Sequence, residues 1–182
     1  MASQKIQMQL IKASNADLPQ LVDIVNQAYR GNGWTSEAEL ISGPRIDLQT
    51  LQAIADGTAT TVFAAKGEDP ALLPALLGCV SLSPMTDGQW YLSMLAVNPD
   101  IQAGGAGKAI MAAAENFAAE HGATSIKISV INHRDSLIAW YERRGYRKTG
   151  ATEPFPYNDP TVGKPLRDDL ELITLTKLLP GI

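Results

Sequence analysis

Residues 89 to 97, QWYLSMLAV, are apolar at almost every position, and such a run predicts a central strand buried from both sides. Upstream, Ile6, Met8 and Leu10 alternate with Lys5, Gln7 and Gln9, the two-residue period of a strand with one buried face. Leu18, Leu21, Val22, Val25 and Tyr29 then recur at helical spacing. Ser14 or Asn15 is available to cap that helix, Pro19 is tolerated in its first turn and Gly31 ends it. Residues 31 to 46 mix Gly and Pro with short helical signals and predict an irregular connection containing one short helix. DLQTLQAIADG reads as a further helix closed at Gly57.

Strands are expected at 60 to 66 and 77 to 83, joined by a linker too rich in proline for regular pairing. After the apolar run, Ile110, Ala114, Phe117, Ala118 and His121 lie on one helical stripe that Gly122 stops. TSIKISVI, 124 to 131, alternates as a strand. In RDSLIAWYERRG, Leu137, Trp140, Tyr141 and Arg144 share one side of a helix that ends at Gly145. Strands at 146 to 152 and 169 to 177 flank the proline-rich EPFPYNDPTVGKPL. An antiparallel run followed by strand, helix, strand, helix predicts an α/β (α+β) fold, a mixed, mostly antiparallel sheet with helices on both faces. No internal repeat or linker divides the chain, so residues 1–182 read as a single domain, a length that buries a full core.

Charge and composition narrow the function classes. A net charge of −4 gives no general attraction for nucleic acid. With one cysteine, Cys79 in the apolar stretch LLGCVSL, no internal disulfide forms, and a buried strand position suits it better than a nucleophile's role. The chain shows neither a secretory leader nor an apolar run of membrane-spanning length, so a cytoplasmic protein with no membrane partner is expected.

The candidate chemistry lies in LAVNPDIQAGGAGKAIM, residues 95 to 111, where a glycine cluster separates the apolar strand from a helix. A Walker loop needs Gly five residues before Gly-Lys and Ser or Thr after it, but Gln102 and Ala109 stand there. The dinucleotide fingerprint fails at Ile110, where its third glycine belongs. What remains is Q-x-x-G-x-G, Gln102 to Gly107. It is either a plain turn or a main-chain cradle whose amides and positive helix end suit a diphosphate.

These residues resemble the GNAT family of acyl-CoA-dependent N-acetyltransferases. In that family a strand of the type MLAVNPD, here Met94 to Asp100, runs into Q/R-x-x-G-x-G/A. LIAWYERRGY, 137 to 146, is similar to the family's Y-x-x-x-G-F/Y element through Tyr141 and Gly145. The resemblance spans essentially the whole chain and is specific over about 92 to 146.

The resemblance implies the GNAT-like acyl-CoA N-acyltransferase fold. It also implies transfer of an acetyl group from acetyl-CoA to a primary amine of a small molecule, amino acid or peptide, by direct attack in a ternary complex. A non-catalytic acyl-CoA sensor or scaffold on the same fold is the alternative. Acetyl-CoA and an amine acceptor are the implied partners, no metal is required, and a homodimer is allowed. Main-chain groups of Leu95, Ala96 and Val97 would pair with the pantetheine arm. Gln102, Ala103, Gly104, Gly105, Ala106, Gly107 and Lys108 would hold the pyrophosphate. Tyr141 would be the catalytic acid beside the sulfur, and an amide near Leu95 or Ala96 would meet the developing oxyanion.

Two positions depart from the family pattern. Ser93 stands where members often carry a basic Glu, which leaves water, Glu37, Glu39 or His133 to accept the amine's proton. Arg134 replaces an Asn seven residues before the tyrosine; it would pair with a coenzyme phosphate, or Asn132 would serve. Trp34, Arg45, Phe155 and Tyr157, in the irregular segments, are candidates to line the acceptor site.

Overall fold

The computed structural model describes residues 6–68, 76–101 and 104–181. In chain order its elements are β1 (Met8–Lys12), α1 (Leu18–Arg30), β2 (Ile41–Ser42), α2 (Leu48–Asp56), β3 (Thr61–Gly67), β4 (Leu76–Pro84) and β5 (Gln89–Val97). There follow α3 (Ala106–Glu120), β6 (Ser125–Ile131), α4 (Asp135–Glu142), β7 (Arg147–Pro154), a 3₁₀ turn (Pro160–Val162), β8 (Lys164–Pro165) and β9 (Glu171–Leu178). Seven strands form one sheet in the order β1-β3-β4-β5-β6-β9-β7, and β2 with β8 makes a two-stranded strap. Only β5 and β6 pair in parallel, because α3 carries the chain across between them.

Alternation along the strands sorts the core into two layers. On β3, Phe63 and Ala65 turn to a cluster that includes Ile110, Met111 and Ala114 of α3 and Ile138 and Tyr141 of α4. Val62 and Ala64 turn to the opposite cluster with Leu18, Leu21 and Val25 of α1 and Leu51 of α2. Asp17 begins α1, and its carboxylate accepts from the amide of Ser14 at 2.8 Å while pairing with Lys66 of β3 at 2.8 Å. The cap expected at Ser14 or Asn15 is therefore reversed: Ser14 donates and Asp17 accepts.

Other expectations also change. Residues 31 to 46 form turns and the short β2 instead of a helix, since Arg30 and Glu37 rather than a helical ladder organise them. The proline-rich linker expected after residue 67 falls mostly on residues outside those described. β5 is central, but its exposure alternates instead of vanishing on both faces. Leu137, Trp140 and Tyr141 of α4, with Arg144 just beyond its end, border a cavity, whereas Ile138 and Tyr141 are the helix's buried residues.

β5 contains the feature that creates the site. Its ladder with β6 covers Gln89, Trp90 and Tyr91 and then stops, leaving the β6-facing edge without a partner strand from Leu92 onward. On its other edge the pairing passes from Ser93 opposite Ser81 to Ala96 opposite Cys79, so two residues bulge against one. Met94 takes up the bulge at φ 51°, a left-handed conformation uncommon for a residue with a side chain. The bulge also reverses the alternation: Leu92 packs on the α3 side, while Met94 and Ala96 pack on the α1 side.

Candidate active site

Two cavities flank the opening between β5 and β6. The larger, about 440 Å³, runs from the start of α3 along Leu95 and Val97 to Leu137, Trp140, Tyr141 and Arg144. The smaller, about 200 Å³, lies toward the strap and is lined by Arg30, Glu37, Arg45, Ser93, Ser129 and Phe155, among others. Tyr29, Leu95, Arg134, Leu137 and Tyr141 border both.

At the outer end of the larger cavity, Gly105 precedes α3 at φ 108°, a turn that favours glycine. Ala109 bonds back to the Gly105 carbonyl, and the amides of the turn before it have no partner within the helix. Gly104 to Lys108 all line the cavity, and a Cβ on Gly104 or Gly105 would meet nothing within 4 Å. The backbone there is thus bare toward open space, at the positive end of a 15-residue helix. Gln102 and Ala103 lie outside the described residues.

Arg144 stacks over Trp140, its Cζ 3.4 Å from the ring centroid, and its buried Nε has no hydrogen-bond partner among the described residues. Trp34, 61% exposed, stands 6.4 Å from Trp140 and lines the larger cavity, not the smaller one. These features fit an elongated ligand with an anionic end. They comprise amides at a helix start, a strand edge at Leu95 to Val97 and a guanidinium nitrogen, all without partners among the described residues.

Tyr141 is 7% exposed at the junction of the cavities, and its hydroxyl has no hydrogen-bond partner among the described residues. Burial pushes its phenol up to about 12, with the Arg134 charge opposing. Tyr29, also on the shared wall, is driven above the usual phenol range by burial and then by Tyr141. Cys79 is buried in β4 with its thiol raised to about 12 by burial, which leaves it a packing residue.

Of the residues named as proton acceptors, only Glu37 reaches a cavity, and it is the sole carboxylate lining either one among the described residues. Its oxygens are held by Arg30 at 3.2 Å and Arg134 at 3.5 Å. Glu39 is exposed, and His133, also exposed, faces Asp169 at 3.1 Å. Arg134 borders the larger cavity, but its guanidinium is taken by Glu37 and the Thr35 carbonyl. Asn132 lies apart from both cavities and spends its amide on Asp169 and Glu171. Arg45 and Phe155 line the smaller cavity, whereas Tyr157 packs on Phe155 outside it and accepts from the Leu170 amide. The Arg30–Glu37–Arg134 cluster escaped sequence reading because its members are 7 and 97 residues apart, with no spacing rule to join them.

Residues 21–146 match the Acetyltransferase (GNAT) family. Among curated proteins there is no match. Three solved structures similar to the chain are N-acetyltransferases. Ribosomal-protein-S18-alanine N-acetyltransferase from Escherichia coli aligns at TM-score 0.67 and 16% identity, over 97% of this chain and 96% of that one. Ribosomal-protein-alanine N-acetyltransferase from Brucella melitensis aligns at 0.67 and 21%, over 94% and 99%. Paia N-acetyltransferase from Thermoplasma acidophilum, solved in complex with coenzyme A, aligns at 0.69 and 14%, over 95% and 99%. At these identities the structures establish the shared fold.

Proposed function

Because the chain belongs to the GNAT acetyltransferase family, and is thus an acyltransferase whose family uses acetyl-CoA, we propose that it acetylates a primary amine by direct attack in a ternary complex. The observation that carries this reading is the meeting of two cavities at a buried, unpartnered tyrosine beside a splayed strand. Bound acetyl-CoA supplies an activated acyl carbonyl. Main-chain amides from Gly104 to Lys108 would hold its diphosphate, with Lys108 adding charge. The free edge at Leu95, Ala96 and Val97 receives the pantetheine arm as an added strand. An amide near Leu95 or Ala96 donates to the carbonyl oxygen as it gains charge.

Tyr141 donates to the departing sulfur. With its phenol near 12 and a free thiol near 8.5, complete transfer is uphill by about 5 kcal/mol, so hydrogen bonding to the sulfur is its contribution. Glu37 is committed to two guanidiniums, so the amine's proton leaves through water and backbone carbonyls near Ser93 and Ser129. Arg134 braces the wall shared by the two cavities through its bonds to Glu37 and Thr35.

Thermal unfolding with acetyl-CoA, free CoA, ATP or NAD tests the ligand class. Either coenzyme A species at 100 times its Kd should stabilise the fold by about 2.7 kcal/mol. Thiol release across an amine panel then tests turnover. Stabilisation by ATP or NAD alone would overturn the reading.

A further inference from the structure

The smaller cavity carries a charge imbalance that nothing among the described residues resolves. Three guanidiniums line it, Arg30, Arg45 and Arg134, against one carboxylate, Glu37. Glu37 is shared between Arg30 and Arg134, and these side chains are only 7%, 8% and 8% exposed, so this trio alone keeps a net positive charge out of water. Such a charge is costly to hold out of water unless an anion meets it.

Arg30 is pinned further: Nη1 donates to the Gly43 carbonyl at 2.9 Å, and Nη2, the nitrogen that also faces Glu37, donates to the Val162 carbonyl at 3.1 Å. Its Nε is buried with no acceptor among the described residues. Arg45 forms no side-chain ion pair or hydrogen bond among the described residues. It stands with Cζ 5.4 Å from the Tyr29 ring centroid, on the cavity wall. Desolvation and the nearby Arg45 charge both work against the Arg30 charge, while Glu37 supports it.

We infer that the smaller cavity selects a small amine carrying an oxyanion group on the same molecule, with Arg45 as the cation that docks it and the Arg30–Glu37–Arg134 array as a positive floor. This rests on the acetyltransferase reading and adds the acceptor's class. At about 200 Å³ the cavity is below the roughly 300–1,000 Å³ of drug-sized sites, which suits an acceptor of amino-acid size. A polyamine would bring further positive charge to an already positive wall. The same field that attracts an oxyanion disfavours the ammonium form of the reacting nitrogen, and so favours the neutral nucleophile.

Steady-state thiol release decides the matter with matched pairs: L-amino acids against their α-amides, aminoalkylphosphonates against the corresponding alkylamines, and spermidine as a cationic acceptor. The expected preference in kcat/KM for the oxyanion member is about 30-fold, the scale of one charge-assisted contact. The two kinds of pair show whether carboxylate or phosphonate is the better fit. Arg45→Gln should shrink the preference to about threefold through the acceptor's KM, and Arg45→Lys should restore part of it. Amides or spermidine serving as well as the acids would overturn the inference, as would an Arg45→Gln enzyme that keeps the preference. A failure of the acetyltransferase reading looks different: no thiol release with any amine and no stabilisation by acetyl-CoA. Thermal shifts with the same pairs then read recognition directly, and equal shifts for acid and amide would overturn it.

Discussion

At the scale of single residues, Tyr141 is placed by packing and left free by chemistry. α4 buries its ring against Trp140 and Tyr146, with centroids 5.1 and 5.7 Å away, while its hydroxyl has no partner among the described residues. Tyr141→Phe keeps the packing and removes the donor, so turnover should fall about 10²-fold with little change in the KM for acetyl-CoA. Steady-state kinetics check this, and unchanged turnover would remove the hydroxyl from the mechanism. Because burial holds the phenol near 12, its ionisation cannot shape the neutral range. In wild type, kcat/KM should therefore climb about tenfold per pH unit below the acceptor's ammonium pKa and show no falling limb before about pH 10.

At the scale of elements, the strap of β2 and β8 borders the smaller cavity, the proposed acceptor end. Ile41 pairs with Pro165 and Ser42 with Lys164, and beneath them Ile41, Ile131, Phe155 and Leu170 form a third apolar cluster. Gly163 makes the approach possible. At φ 92° it takes a left-handed backbone, and a Cβ there would sit 2.7 Å from the Ser42 carbonyl oxygen and 2.8 Å from Arg30 Nη1. Gly163→Ala should therefore spread the strap, loosen Arg30 and cost about 1–3 kcal/mol. The predicted kinetic signature is a larger rise in KM for the acceptor than for acetyl-CoA, since the coenzyme-side cavity does not include the strap. Equal rises in both would show that strap and acceptor cavity are not coupled in this way.

At the scale of the whole molecule, buried phenols link folding to alkaline pH. Tyr29, Tyr141 and Tyr146 are all raised, chiefly by desolvation, Tyr141 to about 12, and Cys79 likewise to about 12. In the unfolded chain tyrosine ionises near 10. A raised native value means that the native state keeps its proton where the unfolded state has lost it. The associated stability is complete below about pH 8.5 for Cys79 and below about pH 10 for the tyrosines, and is lost as pH rises toward 12, by about 1.4 kcal/mol per pH unit for each such group. Urea midpoints across pH 8 to about 12 check this, and tyrosinate absorbance should appear for these residues together with unfolding. Early, non-cooperative ionisation of all the tyrosines in the folded protein would contradict it.

What the sequence determined by itself is local. A continuous apolar run placed β5 at its observed bounds, and period-two and helical spacings placed the other main strands and helices within a few residues, because side-chain direction along one element depends only on that element's own geometry. The glycine cluster and the Tyr141 to Gly145 pair were legible because family motifs act through short, fixed spacings. Tertiary structure alone decided the rest. The bulge at Met94 reverses the facing of β5, and no alternation rule predicts an extra residue opposite a neighbouring strand. The capture of Glu37 by Arg30 and Arg134, and with it the loss of a free carboxylate from the smaller cavity, depends on α1, the turn after it and the start of α4 converging in space. Electrostatic balance is a property of distance through space, and distance along the chain does not encode it.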